Sequence, residues 1–261
     1  MDNIQSKKLK IDGLDVNYYT AGRGQPLVVI HGGGGDARTW SHNINALARN
    51  YTVYAPDLPG YGASQPLIGN YYIPELTGFV NSFSQSLGLD QFSLVGHSLG
   101  GGISLNYALE FPQRVKKLVL VSSLCLGREI AFWVRLLSIP ALLSSVGAMT
   151  MAILKSIKWI FETIAEGVEF IMPLSPASVT IGGSITTIRE QTLVLANRLS
   201  EIVMPTLLVW GGRDPIVPVR HAYAAAEVIP NCRIKVFENR GHNVHRDELN
   251  QFSSVLTDFL G

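Results

Sequence analysis

Short, nearly continuous apolar runs rich in β-branched residues recur along this chain, with stretches of helical period between most of them. The runs are Lys7–Ile11, Leu14–Thr20, Leu27–Ile30, Thr52–Ala55, Phe92–Val95, Lys117–Val121, Thr206–Trp210 and Arg233–Phe237. The helical stretches are Trp40–Ala48, Pro74–Leu87, Leu99–Glu110, Val219–Val228 and Asp247–Leu260. Runs of this kind suit strands covered on both faces. Their alternation with helices predicts an α/β fold: a mostly parallel sheet with helices on both sides. Asp12-Gly13, between the first two runs, predicts an opening hairpin. Sites in such sheets lie beyond the carboxyl ends of the strands, so the chemistry is sought in the loops there.

The alternation breaks between residues 125 and 199. That stretch is helical in tendency, carries Pro140, Pro173, Pro176 and Gly182-Gly183, and holds no clear strand. Because strands resume afterwards, it is expected to be a helical cap inserted into one core, with residues 1–124 and 200–261 forming the two core parts. Within it, Leu136–Leu154 has the length and apolarity of a membrane span. Pro140, Gly147 and scattered hydroxyl residues interrupt it, so a buried or pocket-covering helix pair is expected instead.

The chain has 261 residues, 47% of them hydrophobic and 16% charged, which is enough apolar material for a large core. A formal charge of +1, without dense basic runs, argues against nucleic-acid or anionic-membrane partners. Cys125 and Cys232 stand apart with no CxxC spacing, so packing thiols in a reducing, cytoplasmic setting are expected. The amino-terminal segment MDNIQSKKLKIDG has no apolar secretory core. An apolar cap, if exposed, would favour a homodimer.

The chemistry is concentrated in Gly96-His97-Ser98-Leu99-Gly100, between the run Phe92–Val95 and the helix Leu99–Glu110. This is G-x-S-x-G spacing in a strand–turn–helix context. A sharp turn there strains the serine backbone and lifts its hydroxyl above the sheet. Small neighbours, Gly96 and Gly100, permit the close approach, and the N–H of Leu99 is left at the helix's positive end. A serine hydroxyl needs a base, and the base needs an orienting acid. Among six histidines, His242 follows the run Arg233–Phe237 on the same sheet edge as Ser98. His245 is its rival but is placed at the start of the last helix, as a cap or pocket wall. His97 is expected to pack or hydrogen-bond, and His42 and His221 to be surface or packed residues on helices. The acid is Asp214, in Gly211-Gly212-Arg213-Asp214-Pro215 after the run Thr206–Trp210. Asp-Pro also suits an ordinary turn, but the order Ser98, Asp214, His242 favours the acid, and only Ser122 and Ser123 follow Lys117–Val121.

His31-Gly32-Gly33-Gly34-Gly35 follows the run Leu27–Ile30. Four consecutive glycines cost backbone entropy, and close approach of N–H groups to a substrate oxygen would justify them. The second oxyanion donor is therefore assigned to the N–H of Gly33, beside that of Leu99, with Gly34 as fallback. Such a donor is typically worth about 3–4 kcal/mol in the transition state. A phosphate-binding loop is excluded, because no Lys-Ser or Lys-Thr follows. No metal or organic cofactor is required.

His31-Gly32, Asp57-Leu58-Pro59-Gly60-Tyr61-Gly62-Ala63-Ser64, Gly96-His97-Ser98-Leu99-Gly100-Gly101, Gly211-Gly212-Arg213-Asp214 and Gly241-His242 together resemble the α/β-hydrolase superfamily. The resemblance covers the chain except the insertion, which falls where that family places its cap. It implies an eight-stranded sheet, a cleft beneath the cap and Ser98 as nucleophile. Within the family the chain resembles carboxylesterases and hydrolases that cleave carbon–carbon bonds of ring-fission products. The latter usually carry asparagine where His97 stands, and tryptophan where Asn243 and Val244 stand. Arg189 is either the cap arginine that such enzymes use for a carboxylate or an exposed helix residue. Phe132, Trp133, Leu136, Leu142, Met149 and Trp159 make the cap apolar. The expectation is a serine hydrolase for a small apolar acyl or aromatic substrate, with C–C hydrolase, inert ligand-binding protein and acyltransferase or perhydrolase as alternatives.

Overall fold

The apolar runs pair into one eight-stranded sheet: β1 (Gln5–Ile11), β2 (Leu14–Ala21), β3 (Gln25–Ile30), β4 (Tyr51–Pro56), β5 (Phe92–His97), β6 (Val115–Val121), β7 (Thr206–Gly211) and β8 (Cys232–Phe237). A computed structural model describes residues 4–67, 72–130 and 193–261 of the chain. Strand order is β1-β2-β4-β3-β5-β6-β7-β8. The hairpin β1–β2 and the pair β2–β4 are antiparallel, and all other neighbours are parallel. The expected fold class is thereby met, with the antiparallel pairs confined to one edge.

Period 2 within each run divides the core in two. Val28, Ile30, Leu94, Leu118, Leu120, Leu208 and Trp210 face one cluster. Leu27, Val29, Val95, Val119, Val121, Leu207 and Val209 face the other. Helices α2 (Ile73–Ser86), α3 (Leu99–Glu110) and α4 (Arg220–Val228) cover the first face. Helices α1 (Ser41–Leu47), α5 (Val244–Asp247) and α6 (Leu249–Leu260) cover the second. Each fully buried aliphatic side chain contributes about 1.5–3 kcal/mol, which explains why the central strands tolerate no polar alternation.

Two helices differ from expectation. The stretch from Trp40 begins earlier, as a 3-10 turn Ala37–Trp40 whose N-cap Asp36 accepts from the Arg38 N–H at 2.9 Å. The stretch expected as one helix, Asp247–Leu260, is two. Glu248, at φ −123° and ψ 42°, breaks it and accepts from Arg240 Nε at 2.5 Å.

Most of the expected cap, including Leu136–Leu154, Arg189 and the apolar residues named above, lies outside the described residues. Its two ends are described, and they meet: the Leu195 N–H donates to the Cys125 carbonyl at 2.8 Å. The chain thus leaves the core after β6 and returns to the same place. Among the described residues, no helix is long and apolar enough to cross a membrane.

Candidate active site

Ser98 sits between β5 and α3 with φ 53° and ψ −114°, a left-handed conformation that costs a non-glycine residue energy. Three backbone bonds hold it there. Its N–H donates to the Val121 carbonyl at 2.9 Å, and its carbonyl accepts from Gly102 at 3.1 Å and Leu124 at 3.0 Å. The flanking glycines are required sterically. A Cβ on Gly100 would stand 2.5 Å from the His31 and Ile30 carbonyl oxygens, and one on Gly96 would overlap the Gly100 carbonyl. Ser98 Oγ is buried and makes no hydrogen bond among the described residues.

The loop after β3 is fixed by a residue whose role the sequence reading missed. His31 is fully buried. Its Nε2 accepts from the Leu58 N–H at 2.9 Å, so its Nδ1 carries the proton and donates to the Gly32 carbonyl at 2.8 Å. Asp57, also buried, accepts from the Ala37 N–H, the Asn17 side chain and the Ala63 N–H at 2.9–3.0 Å. This carboxylate ties β2, the loop after β4 and the turn below the glycine run together. Gly33 then lies against Leu99: a Cβ added to it would be 3.3 Å from Leu99 Cδ2. Leu99 opens α3, where the first N–H groups have no intrahelical acceptor.

Asp214 and His242 meet across the loops after β7 and β8. His242 Nδ1 lies 2.9 Å from Asp214 Oδ2 and 3.1 Å from Oδ1, and the side chains are 2% and 0% exposed. Since a carboxylate only accepts, His242 Nδ1 carries the proton and Nε2 keeps the lone pair. Asp214 Oδ1 also accepts from the N–H groups of Ile216 and Val217 at 2.8 and 2.9 Å. The turn role and the orienting contact, alternatives in the sequence, coexist. A Cβ on Gly211 would overlap the Gly241 carbonyl, so that glycine lets the two loops touch.

Three imidazoles lie against one another here, tilted rather than parallel. The His97 ring is 4.7 Å from that of His242 and 4.3 Å from that of His245, which rests 4.5 Å from Trp40. His97 Nε2 donates to the His242 carbonyl at 3.1 Å, the hydrogen-bonding role expected of it. Burial, then the neighbouring charges of His245 and His242, push His97 well below the usual imidazole value. Burial pushes His245 down to about 3, aided by Arg246 and His242. Both are neutral near pH 7. His245 belongs to α5 and to the pocket wall, while His42 is exposed on α1 yet also reaches the pocket. His221, on α4, is buried and pairs with Glu129 at 2.9 Å.

Ser98, His242, His97, His245 and the Gly32–Gly35 loop line one pocket of about 430 Å³. It extends over Arg38 and Arg246, which the sequence reading did not single out. Asp36-x-Arg38 directly after the glycine run was the available signal. Among the described residues, no cluster of His, Cys, Asp and Glu side chains could hold a metal ion.

Known proteins resemble this chain along nearly its whole length. The dihydrolipoyllysine-residue acetyltransferase component of the acetoin cleaving system of Cupriavidus necator is 32% identical over 269 residues, covering 96% of this chain and 68% of that one. The 2-hydroxy-6-oxo-6-phenylhexa-2,4-dienoate hydrolase of Burkholderia cepacia is 28% identical over 260 residues, covering 92% and 89%. A hydrolase from Pseudomonas aeruginosa has a similar solved structure, with a TM-score of 0.81 at 23% identity and 98% of each chain covered. The model of the alpha/beta hydrolase fold family matches residues 25–171, more than half of the sequence. With the mostly parallel eight-stranded sheet and the strained serine turn, this match makes the chain a member of the alpha/beta hydrolase fold family.

Proposed function

We propose that this protein is a serine hydrolase that cleaves a carboxylic ester or related acyl bond of a small molecule through an acyl-enzyme. The observation that carries the proposal is the Asp214–His242 contact of 2.9 Å, made behind an imidazole that lines the same pocket as Ser98. Asp214 fixes the His242 tautomer, leaving Nε2 to take a proton. Ser98 Oγ attacks the carbonyl carbon and gives its proton to His242 Nε2. The oxyanion is held by the N–H groups of Leu99 and Gly33. His242 then returns the proton to the leaving alcohol, and a water deprotonated by the same imidazole releases the acid and regenerates Ser98. Ser98 Oγ bonds to nothing among the described residues, so it is not locked away from this movement. Catalytic hydrogen bonds often close only when substrate is bound. The acyl or aromatic part of the substrate would face the apolar cap, residues 125–199 of a cytoplasmic enzyme.

The test is labelling with a fluorophosphonate, mapped by peptide analysis, beside turnover of esters of graded acyl length. Labelling at Ser98 with ester turnover is expected. An unlabelled, folded protein would mark a ligand-binding member of the fold. The Burkholderia relative, a dienoate hydrolase by name, favours a second reading: cleavage of a carbon–carbon bond of a ring-fission product by the same residues. A ring-fission dienoate run beside the esters decides between them. The Cupriavidus relative, named an acetyltransferase component, makes a competing alcohol or thiol acceptor a necessary arm of the product analysis.

A further inference from the structure

We propose that His97, the residue before Ser98, is the positioning residue of the proposed base: its imidazole spans from the serine turn to the loop after β8 and sets where the His242 ring stands. The assignment rests on the hydrolase reading for the word base, but not for the contacts that hold the ring. His97 is the last residue of β5, and its backbone is in register with Val121 of β6. Its side chain therefore starts from the middle of the sheet rather than from a loop. The ring is buried and touches three separate parts of the site. Its Nε2 donates to the His242 carbonyl at 3.1 Å, and the two ring centres are 4.7 Å apart. Because a carbonyl only accepts, Nδ1 carries the lone pair. That nitrogen lies against Gly32, where a Cβ would stand 2.8 Å from it. The ring also meets that of His245, on α5, at 4.3 Å.

These contacts meet a need that Asp214 leaves open. The carboxylate holds the His242 ring through Nδ1 and fixes its tautomer. It does not fix how the pair stands relative to Ser98, since Asp214 is on the loop after β7. The bond from His97 reaches the main chain of His242, and it comes from the strand that leads into Ser98. One short, rigid side chain thus links the turn of the nucleophile to the loop of the base. Gly32 serves the same spacing, because a side chain there would displace the ring. It also precedes Gly33, so the ring keeps the glycine loop and the base loop in register. The charges agree with this role. The groups that face His97 are His245, His242 and Arg246, and burial ahead of their charges pushes its imidazole well below the usual value. A neutral ring puts no positive charge beside the imidazolium that His242 becomes on taking the serine proton.

Three variants test the assignment. His97→Gln keeps an amide N–H able to reach the His242 carbonyl. His97→Phe fills the space without a donor, and His97→Ala removes the contact without overpacking, should the Phe variant misfold. Each is read by turnover of p-nitrophenyl acetate and by solvent exchange of the His242 Nδ1 proton, followed by NMR of protein carrying isotope-labelled histidine. A reacting group misplaced by about 1 Å can cost about 100-fold in rate. In His97→Phe and His97→Ala, kcat is therefore expected to fall about 30- to 100-fold while KM changes by less than about threefold. The ring proton should exchange at least tenfold faster in both, and His97→Gln should recover most of each loss. Unchanged exchange in His97→Ala, a Gln variant as impaired as the Ala variant, or a rise in KM without a loss in kcat would overturn the assignment. The exchange measurement needs no turnover, so the two claims fail separately. A wild-type protein that neither labels with fluorophosphonate nor cleaves esters would end the hydrolase reading, while faster exchange in His97→Ala would still support the placement of His242. Wild-type labelling and turnover, with His97→Ala equal to wild type in rate and exchange, would do the reverse.

Discussion

The serine turn and the Asp214–His242 pair sit at one sheet edge but are held in opposite ways. Ser98 is fixed through its backbone: three main-chain bonds and two glycines clamp a strained φ of 53°, while the hydroxyl has no partner among the described residues. Asp214 and His242 are fixed through their side chains, which bond to each other at 2.9 Å and, from Asp214, to two backbone N–H groups. Ser98 is therefore placed by its backbone, and its hydroxyl bonds to none of the described residues. The proposed base meets the Asp214 carboxylate through Nδ1 and packs its ring against His97, 4.7 Å away. Replacing the hydroxyl should leave the turn intact, whereas replacing the carboxylate should leave the backbone and misdirect the imidazole.

The largest effect that sharpens this contrast is Ser98→Ala. Ester turnover should fall about a millionfold, by the measure of triad serines removed elsewhere. The melting temperature should not fall, because the hydroxyl bonds to none of the described residues. A drop of several degrees would show that the hydroxyl is structural. Next is Asp214→Asn. Its Oδ1 can still accept from Ile216 and Val217, so folding should persist. The amide leaves His242 in the wrong tautomer, and kcat should fall about 10⁴-fold. A loss below tenfold would remove Asp214 from the orienting role.

Gly96→Ala attacks the other half of the comparison. The added methyl meets the Gly100 carbonyl, which cannot move without shifting the serine turn. Destabilisation of about 3 kcal/mol is expected from overpacking a rigid site; denaturant unfolding with an unchanged midpoint would show that the backbone clamp is soft. The smallest effect is on pH dependence. His245 has a folded-state value of about 3, and His97 is also well below the ordinary 6.5. Below pH 6.5 the unfolded chain binds protons at these rings and the folded chain does not. Stability should therefore be full above pH 6.5 and fall by up to about 1.4 kcal/mol per pH unit for each ring on acidification. His245→Phe should flatten that slope, read from denaturant midpoints between pH 7 and pH 5.

Much of the architecture was legible because burial on both faces leaves a local mark. Runs such as Leu118–Val121 must be apolar at every position, and their spacing fixed the strands to within a few residues. The strained turn was legible for a similar reason: only glycine fits beside it, so the constraint is written in adjacent residues. The break at Glu248 was not legible: no proline or glycine marks it, and the Arg240 side chain that meets its carboxylate comes from eight residues away, on another loop. Nor was the His31 bond to the Leu58 N–H, which joins residues 27 positions apart.

By itself the sequence determined the α/β class, the order of strands and helices along the chain, and the short list of residues able to do chemistry. Those properties follow from period, from steric exclusion around glycine and from the functional groups themselves, all of which act over a few neighbouring residues. Only the tertiary structure decided which histidine meets Asp214, which one lies against Trp40, and that two arginines stand at the pocket. Those outcomes depend on distances between loops far apart in the chain, where an ångström or two decides whether a hydrogen bond exists, and no local pattern records them.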